Sequence, residues 1–407
     1  MNVDDVVREV LREQAAELTP PAPGFADRVL AVRRRRRVRG LATAAAAVAA
    51  VIAVSVGVPG LDSGGEGVRP AGGVEQDRIT GRTDQSPPRE LLAAGEVAMA
   101  AYYTTEKVRR SADRMVSERT YWLLDPRTKK YEKDDRWSFV AVAPGLKTAA
   151  VLERELPADR VGLLDLASGE VERWIPVDHE AGGLAFSPDG RKLVATTYGE
   201  DPGLLLRVED PGGPVGWEPR EISSRNGFQV IDVASGAGSW TEVATGDEPF
   251  GPAGFVNARQ DFAFSADGRF VWAGRVSDTV ELDYFDLAGD AVAPPTREAH
   301  RTWHVEAGLS PDGRRLAGDF AGKGMKTSSW ILDPLTGEQV AEVHGQQLLA
   351  WADNDSLVAW DIAADGNEFH QRLVLVTVGS GKVVPLSGFR SPEDDAKGRW
   401  EPVFVRR

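Results

Sequence analysis

Cysteine is absent from the 407 residues. That excludes a disulfide framework, a thiol nucleophile and any thiolate-ligated metal or iron–sulfur site. It leaves the compartment open, because an oxidising space permits disulfides without requiring them. Histidine is scarce at five residues, and only His300 and His304 are close in sequence. A proline before them and a Ser-Pro-Asp-Gly segment after them suggest that His304 approaches or enters a strand. Residues four apart on a strand share a face but lie about 13 Å apart, so a shared metal is not expected. A His-Glu-x-x-His motif and a Gly-x-Ser-x-Gly nucleophile elbow are both missing. The glycine-rich stretches at Gly64-Gly65 and Gly213-Pro214 lack the Lys-Ser/Thr of a phosphate loop. The expectation is therefore a non-enzymatic protein with no catalytic residues, no cofactor and no metal.

Basic charge is also in short supply, with 48 Lys and Arg against 62 Asp and Glu, a net charge of −14. Residues 1–40 hold nine Arg against six acidic residues, a net of +3, which leaves −17 for the remainder. An acidic body of that kind repels phosphate, so no nucleic-acid partner is expected.

Long apolar runs are limited to one. Residues 41–58 form an uncharged Ala/Val-rich stretch of 18 residues, preceded by Arg33, Arg34, Arg35, Arg36, Arg37 and Arg39. As a helix at about 1.5 Å per residue it reaches roughly 27 Å, just enough for a bilayer core. The arginines on one flank, with Asp62 and Glu66 on the other, orient the amino terminus toward the cytoplasm and the rest of the chain outside. A cleaved export signal and a helix buried in a soluble protein are the competing readings. Ahead of the arginines, Val3, Val6, Val7, Val10 and Leu11 recur at helical spacing, which predicts a short amphipathic helix over residues 3–17 in a cytoplasmic tail spanning 1–40. Such a helix either docks a cytoplasmic partner or forms only near the membrane. Residues 59–89, rich in Gly, Pro and charge, read as a flexible linker.

Residues 90–407 are organised by two interleaved repeats. The first is an apolar strand, a tight turn and a second apolar strand: Leu184-Ala-Phe-Ser-Pro-Asp-Gly-Arg-Lys-Leu, Phe262-Ala-Phe-Ser-Ala-Asp-Gly-Arg-Phe-Val and Gly308-Leu-Ser-Pro-Asp-Gly-Arg-Arg-Leu, with weaker copies at 140–151 and 349–360. Asp189, Gly190, Asp267, Gly268, Asp312 and Gly313 are structural turn residues, since an Asp-Gly turn tolerates the positive φ of a tight hairpin. The second repeat ends an apolar strand in an Asp-x-x-Ser/Thr-Gly turn, with copies near 128, 168, 235, 289, 336 and 380. Two hairpins alternating at 40–54 residues make a four-stranded blade, which buries its faces by stacking on neighbours. The fold class is all-β: a β-propeller of six blades, or seven if Leu204–Val208 begins a degenerate one, preceded by one transmembrane helix and a short helical tail. The long interval between Ala195 and Gln229 reads as an insertion within a blade. Glu401–Arg406 reads as a strand that completes the first blade.

These motifs resemble WD40-like and TolB-like propeller repeats over about residues 95–407. The whole layout looks like the membrane-anchored WD40-repeat proteins of high-GC actinobacteria. The resemblance implies protein interaction, because TolB-like propellers commonly bind protein partners. The Gly-His and Trp-Asp pairs of eukaryotic WD40 blades are not systematically present. Of the eleven tryptophans most belong to strands, whereas Trp217 and Trp303 lie near proline or histidine and are candidate partner contacts at the mouth of the propeller. The expected role is an extracytoplasmic scaffold, sensor or interaction module tethered to the cell membrane, with an unidentified protein partner. The alternative is an enzyme or small-molecule binder that uses the central channel.

Overall fold

The structure is a computed structural model that describes residues 78–209, 215–219, 223–243, 260–274, 282–322, 327–394 and 396–407. All belong to the second of two compact units, Val68–Arg407. The expected tail, the apolar run 41–58 with its arginines, and most of the linker lie outside the described residues. Among the described residues no helix is long and apolar enough to cross a membrane.

The described chain is all-β, and its named strands pair antiparallel. Strands β1 (Ile79–Thr80) and β2 (Ala93–Ala94) lead into β3 (Val97–Arg109), which pairs with β4 (Arg114–Leu124), and β5 (Tyr131–Asp134) follows on β4. Strands β6 (Trp137–Val142), β7 (Thr148–Glu153), β8 (Ala158–Asp165) and the first part of β9 (Glu170–Phe186) form a second module. The later part of β9 begins a third, with β10 (Lys192–Tyr198), β13 (Arg225–Asp232) and β14 (Gly238–Glu242). Between β10 and β13, which pair directly, β11 (Leu204–Glu209) and β12 (Val215–Pro219) form an inserted hairpin that docks on β4. This is the insertion expected between Ala195 and Gln229.

A fourth module holds β15 (Ala263–Phe264), β16 (Phe270–Gly274), β17 (Leu282–Asp286) and β18 (Ala291–Val292). The fifth holds β19 (Leu316–Phe320), β20 (Ser328–Leu332) and β21 (Gln339–His344), extended by a bridge between Leu309 and Leu316. The sixth is β22 (Gln347–Trp351), β23 (Ser356–Ile362), β24 (Gln371–Thr377) and β25 (Val383–Pro385). The chain then returns, and β26 (Trp400–Arg406) pairs with β3, with Glu401 opposite Tyr103.

Burial follows position within a module. The central strand β23 is buried at six successive residues, as a strand covered on both faces must be, whereas the outer strand β21 is exposed at four of its six. The cores are shared between neighbours. Tyr121 and Leu123 of the first module pack with Trp137, Val140 and Val151 of the second. Leu152 and Val161 meet Leu184, Leu193 and Ile231 of the third, whose Val194 and Phe228 meet Phe262 and Val271 of the fourth. Ile331 and Val343 of the fifth meet Leu357 and Val374 of the sixth, and Trp360 and Leu375 of the sixth meet Met99, Tyr102 and Trp400 of the first. The seam between fourth and fifth is tied by polar groups instead: buried Glu298 accepts from the Ala266 N–H at 2.8 Å and from Arg301 at 3.3 Å, and the Arg301 guanidinium lies 4.2 Å over Trp272. The arrangement is consistent with a β-propeller.

Two expectations need correction. The linker does not run to residue 89. Arg82 N–H donates to Leu386 carbonyl at 2.7 Å, Trp400 Nε1 donates to Ser86 Oγ at 3.1 Å, and Pro88 is buried, so residues 78–89 belong to the fold. They are held mainly by main-chain bonds, which leave little trace in an apolar pattern. His304 lies in a turn and no strand begins there; its Nε2 pairs with Asp319 at 2.8 Å.

Candidate functional site

The repeated turns are built locally. Ser187 Oγ donates to Asp189 at 2.6 Å and accepts from the Lys192 N–H at 2.9 Å, while Asp189 accepts from the Arg191 N–H at 3.0 Å. Ser265 with Asp267, and Ser310 with Asp312, repeat these bonds. Gly190, Gly268 and Gly313 follow at φ of 71°, 69° and 67°. These residues hold hairpin tips and present no convergent chemistry.

A different set converges where the modules meet. In the three segments leading into those turns, the residue four places before the serine is Gly183 on β9, Asp261 just before β15, or Glu306 in a turn. A Cβ at Gly183 would fall 2.1 Å from Asp261 Oδ1, so the glycine makes room for that carboxylate, which accepts from Tyr198 Oη at 2.8 Å. Glu306 accepts from Gln347 Nε2 at 3.4 Å. Glu401, opposite Tyr103 on β26, accepts from Arg390 Nη1 at 2.6 Å. The Arg390 guanidinium is buried, lies 3.7 Å over Trp360, and donates also to the Trp400 carbonyl at 2.8 Å and to Gln371 Oε1.

Tyr103 and Tyr121 pack with ring centroids 5.4 Å apart. The Arg119 guanidinium sits 4.5 Å from the Tyr103 ring and 5.2 Å from the Phe139 ring, and donates to Tyr121 Oη at 3.3 Å. Glu306 has an exposed surface yet stands among protein groups, and that crowding, with a smaller push from the Glu401 charge, raises its pKa to about 7. The Arg119 charge pulls the Tyr103 phenol down, but burial and the charges of Tyr121, Glu401 and Glu306 outweigh it and leave it raised. Burial lowers Arg390 to about 10 despite its Glu401 partner.

Beside Tyr121 and Phe139 lies a cleft of about 480 Å³ lined by Arg110, Arg114, Arg119, Arg154, Leu156 and Leu204 among others. The β11–β12 hairpin forms one wall, pairing Leu204 with Val116 and Leu206 with Arg114. Glu118 neutralises two of the cations, Arg110 and Arg154. The site can thus offer a cation, phenol hydroxyls, ring faces, and a carboxyl that exchanges its proton near neutrality.

Trp217 is half-buried on β12, with the Arg109 guanidinium 5.2 Å from its ring. Trp303 lies in the turn three residues before Glu306, its ring 5.1 Å from His304. No described contact joins the two. Among the described residues there is no group of three His, Asp or Glu placed to hold a metal. Arg119, Tyr103, Glu306 and Glu401 were not legible as a set. The available signal was the acidic residue recurring at one offset in Asp261 and Glu306. Arg119 itself, in Ser-Glu-Arg-Thr, reads as an ordinary polar strand.

The chain thus defines a class of all-β proteins built from repeated antiparallel modules. The solved structure of TolB from Acinetobacter baumannii is similar to it at TM-score 0.35 and 13% identity, over 72% of this chain and 65% of that one. No family model and no curated protein matches the chain.

Proposed function

We propose that the described residues form a six-bladed β-propeller acting as a non-enzymatic, partner-binding module, and that its mouth at Arg119, Tyr103, Glu306 and Glu401 meets the partner. The observation that carries this reading is the convergence there of polar and aromatic groups from the first, second and fifth modules, which separate hairpins supply and no single turn needs. The blade count follows from six pairs of hairpins, with β26 supplying the first module's missing strand. Residues 41–58 and the arginines before them support a membrane tether with the amino terminus in the cytoplasm and the propeller outside. The partner is a protein, and the acidic body disfavours nucleic acid.

A photo-crosslinking amino acid placed at Glu306 or Glu401 of the full-length chain in its native membrane tests the surface. A saturable adduct from these positions, absent when the same group sits at Gly190, is the expected outcome. Equal labelling from both sites, or none from the mouth, counts against the reading. A second reading, an enzyme or small-molecule binder using the channel, draws on Glu306, whose pKa of about 7 suits proton transfer. It predicts turnover that Glu306→Gln abolishes.

A further inference from the structure

Arg119 and Arg114 are the two cations lining the cleft that form no ion pair among the described residues, and of the two only Arg119 is held between aromatic rings. Arg110 and Arg154 share Glu118, and Arg390 has Glu401. Arg119 forms no ion pair among the described residues; its one side-chain bond is to the neutral Tyr121 hydroxyl, and its faces are covered by the Tyr103 and Phe139 rings. A guanidinium fixed between aromatic faces loses little entropy when a ligand arrives, and its remaining N–H groups form a planar fork suited to two parallel bonds with a carboxylate. It lines the 480 Å³ cleft together with apolar Val116, Leu156, Pro157 and Leu204. A charged head beside an apolar wall fits a ligand with a carboxylate at one end and a hydrocarbon group next to it.

We propose that Arg119 receives a carboxylate, with the adjacent apolar wall taking the group that carries it. This rests on the partner-binding reading and narrows it to the chemistry of the ligand. The source is either the free carboxyl terminus of a polypeptide or a small aliphatic acid.

The test is calorimetric titration of the full-length chain in nanodiscs with three probes: N-acetyl-Ala-Ala-Leu as free acid, the same peptide as amide, and hexanoate. The free acid is expected to bind, with the amide and the Arg119→Met chain each weaker by roughly tenfold to a hundredfold, the range for a hydrogen bond to a charged group. Arg119→Lys should recover part of the loss, and Arg269→Met, in the turn of the fourth module and not among the residues that line the cleft, should bind as the parent does. Binding of the peptide acid alone identifies a polypeptide terminus. Binding of hexanoate with the same dependence on Arg119 identifies a small acid. Equal affinity for acid and amide, no binding of either acid, or affinity unchanged in Arg119→Met overturns the proposal. Arg114→Met, which removes the other unpaired cation of the cleft and leaves Arg119 in place, keeps the test open if Arg119→Met fails to fold: acid binding retained there supports Arg119, and acid binding lost there overturns the proposal. A saturable crosslink from Glu306 with no carboxylate dependence would leave the partner-binding reading standing while this one falls.

Discussion

At the scale of single residues, the turns show how much can be decided locally. Each Ser-x-Asp-Gly tip closes its own bonds within six residues, so the pattern is legible without knowledge of the rest of the chain. Replacing Ser187, Ser265 or Ser310 by alanine should cost about 1 kcal/mol each and sum nearly additively, because the three sites share no partners. Urea unfolding of the single and triple variants checks both statements. The second turn series contains an exception. Gly169, Gly236 and Gly337 occupy positive φ, each donating its N–H to the carbonyl of the aspartate four residues earlier, and the matching position in the first module is Lys129 at φ 59°. A side chain in that region is unfavourable by roughly 1–2 kcal/mol, so Lys129→Gly should stabilise the protein, read as a higher urea midpoint. Glu306 is the converse case, where the neighbours decide. Its pKa of about 7 exceeds the ordinary 4.5, so the folded chain holds this proton more tightly than the unfolded one. Its contribution therefore favours folding at low pH and is lost as pH rises from about 4.5 through 7. Glu306→Gln should remove that part of the pH dependence, measured as the difference in melting temperature between pH 5 and pH 8.

At the scale of elements, strands were legible where both faces are covered by apolar neighbours, as in Leu357-Val-Ala-Trp360, and illegible where the main chain does the holding, as in residues 78–89. The inserted hairpin was legible as an interruption of the repeat. Its destination on β4, and the cleft formed beside it, depend on pairing across more than 80 residues and left no local mark. The return strand β26 is legible in the sequence as a last strand that completes the first module, but its anchor is not. Arg390 reaches it from the sixth module, and this residue reads as a surface arginine in Gly-Phe-Arg-Ser. Arg390→Met should keep the packing on Trp360 while stripping hydrogen bonds from Gln371, Glu401 and the Trp400 carbonyl, at about 3 kcal/mol. Limited proteolysis should then release a fragment ending before residue 400. A variant that resists cleavage as the parent does would show that the apolar contacts of Trp400 hold the strand alone.

At the scale of the whole molecule, the candidate site is a product of assembly: Arg119, Phe139, Glu306 and Glu401 come from positions spread over 283 residues and acquire their mutual geometry only when the modules have packed together. Sequence reading could therefore reach the scaffold and miss the site. For the proposed topology, tags at both termini of intact cells provide the check: the carboxyl-terminal tag is expected to be open to external protease, with the full-length chain resisting a carbonate wash. A protected carboxyl-terminal tag would place the described residues on the cytoplasmic side.

The pairing of β26 with β3 has a further consequence for how the protein is made. Arg407 donates to the Gly95 carbonyl across 312 residues, so β3 leaves the ribosome long before its partner exists. During that interval one edge of β3 is an open template for any extended chain nearby. If the chain is threaded across a membrane as it is synthesised, the first module must wait on the far side for residues 400–406 to arrive. The protein would then depend on the speed of its own translocation, and slowing export should increase its aggregation before it alters the stability of the finished fold.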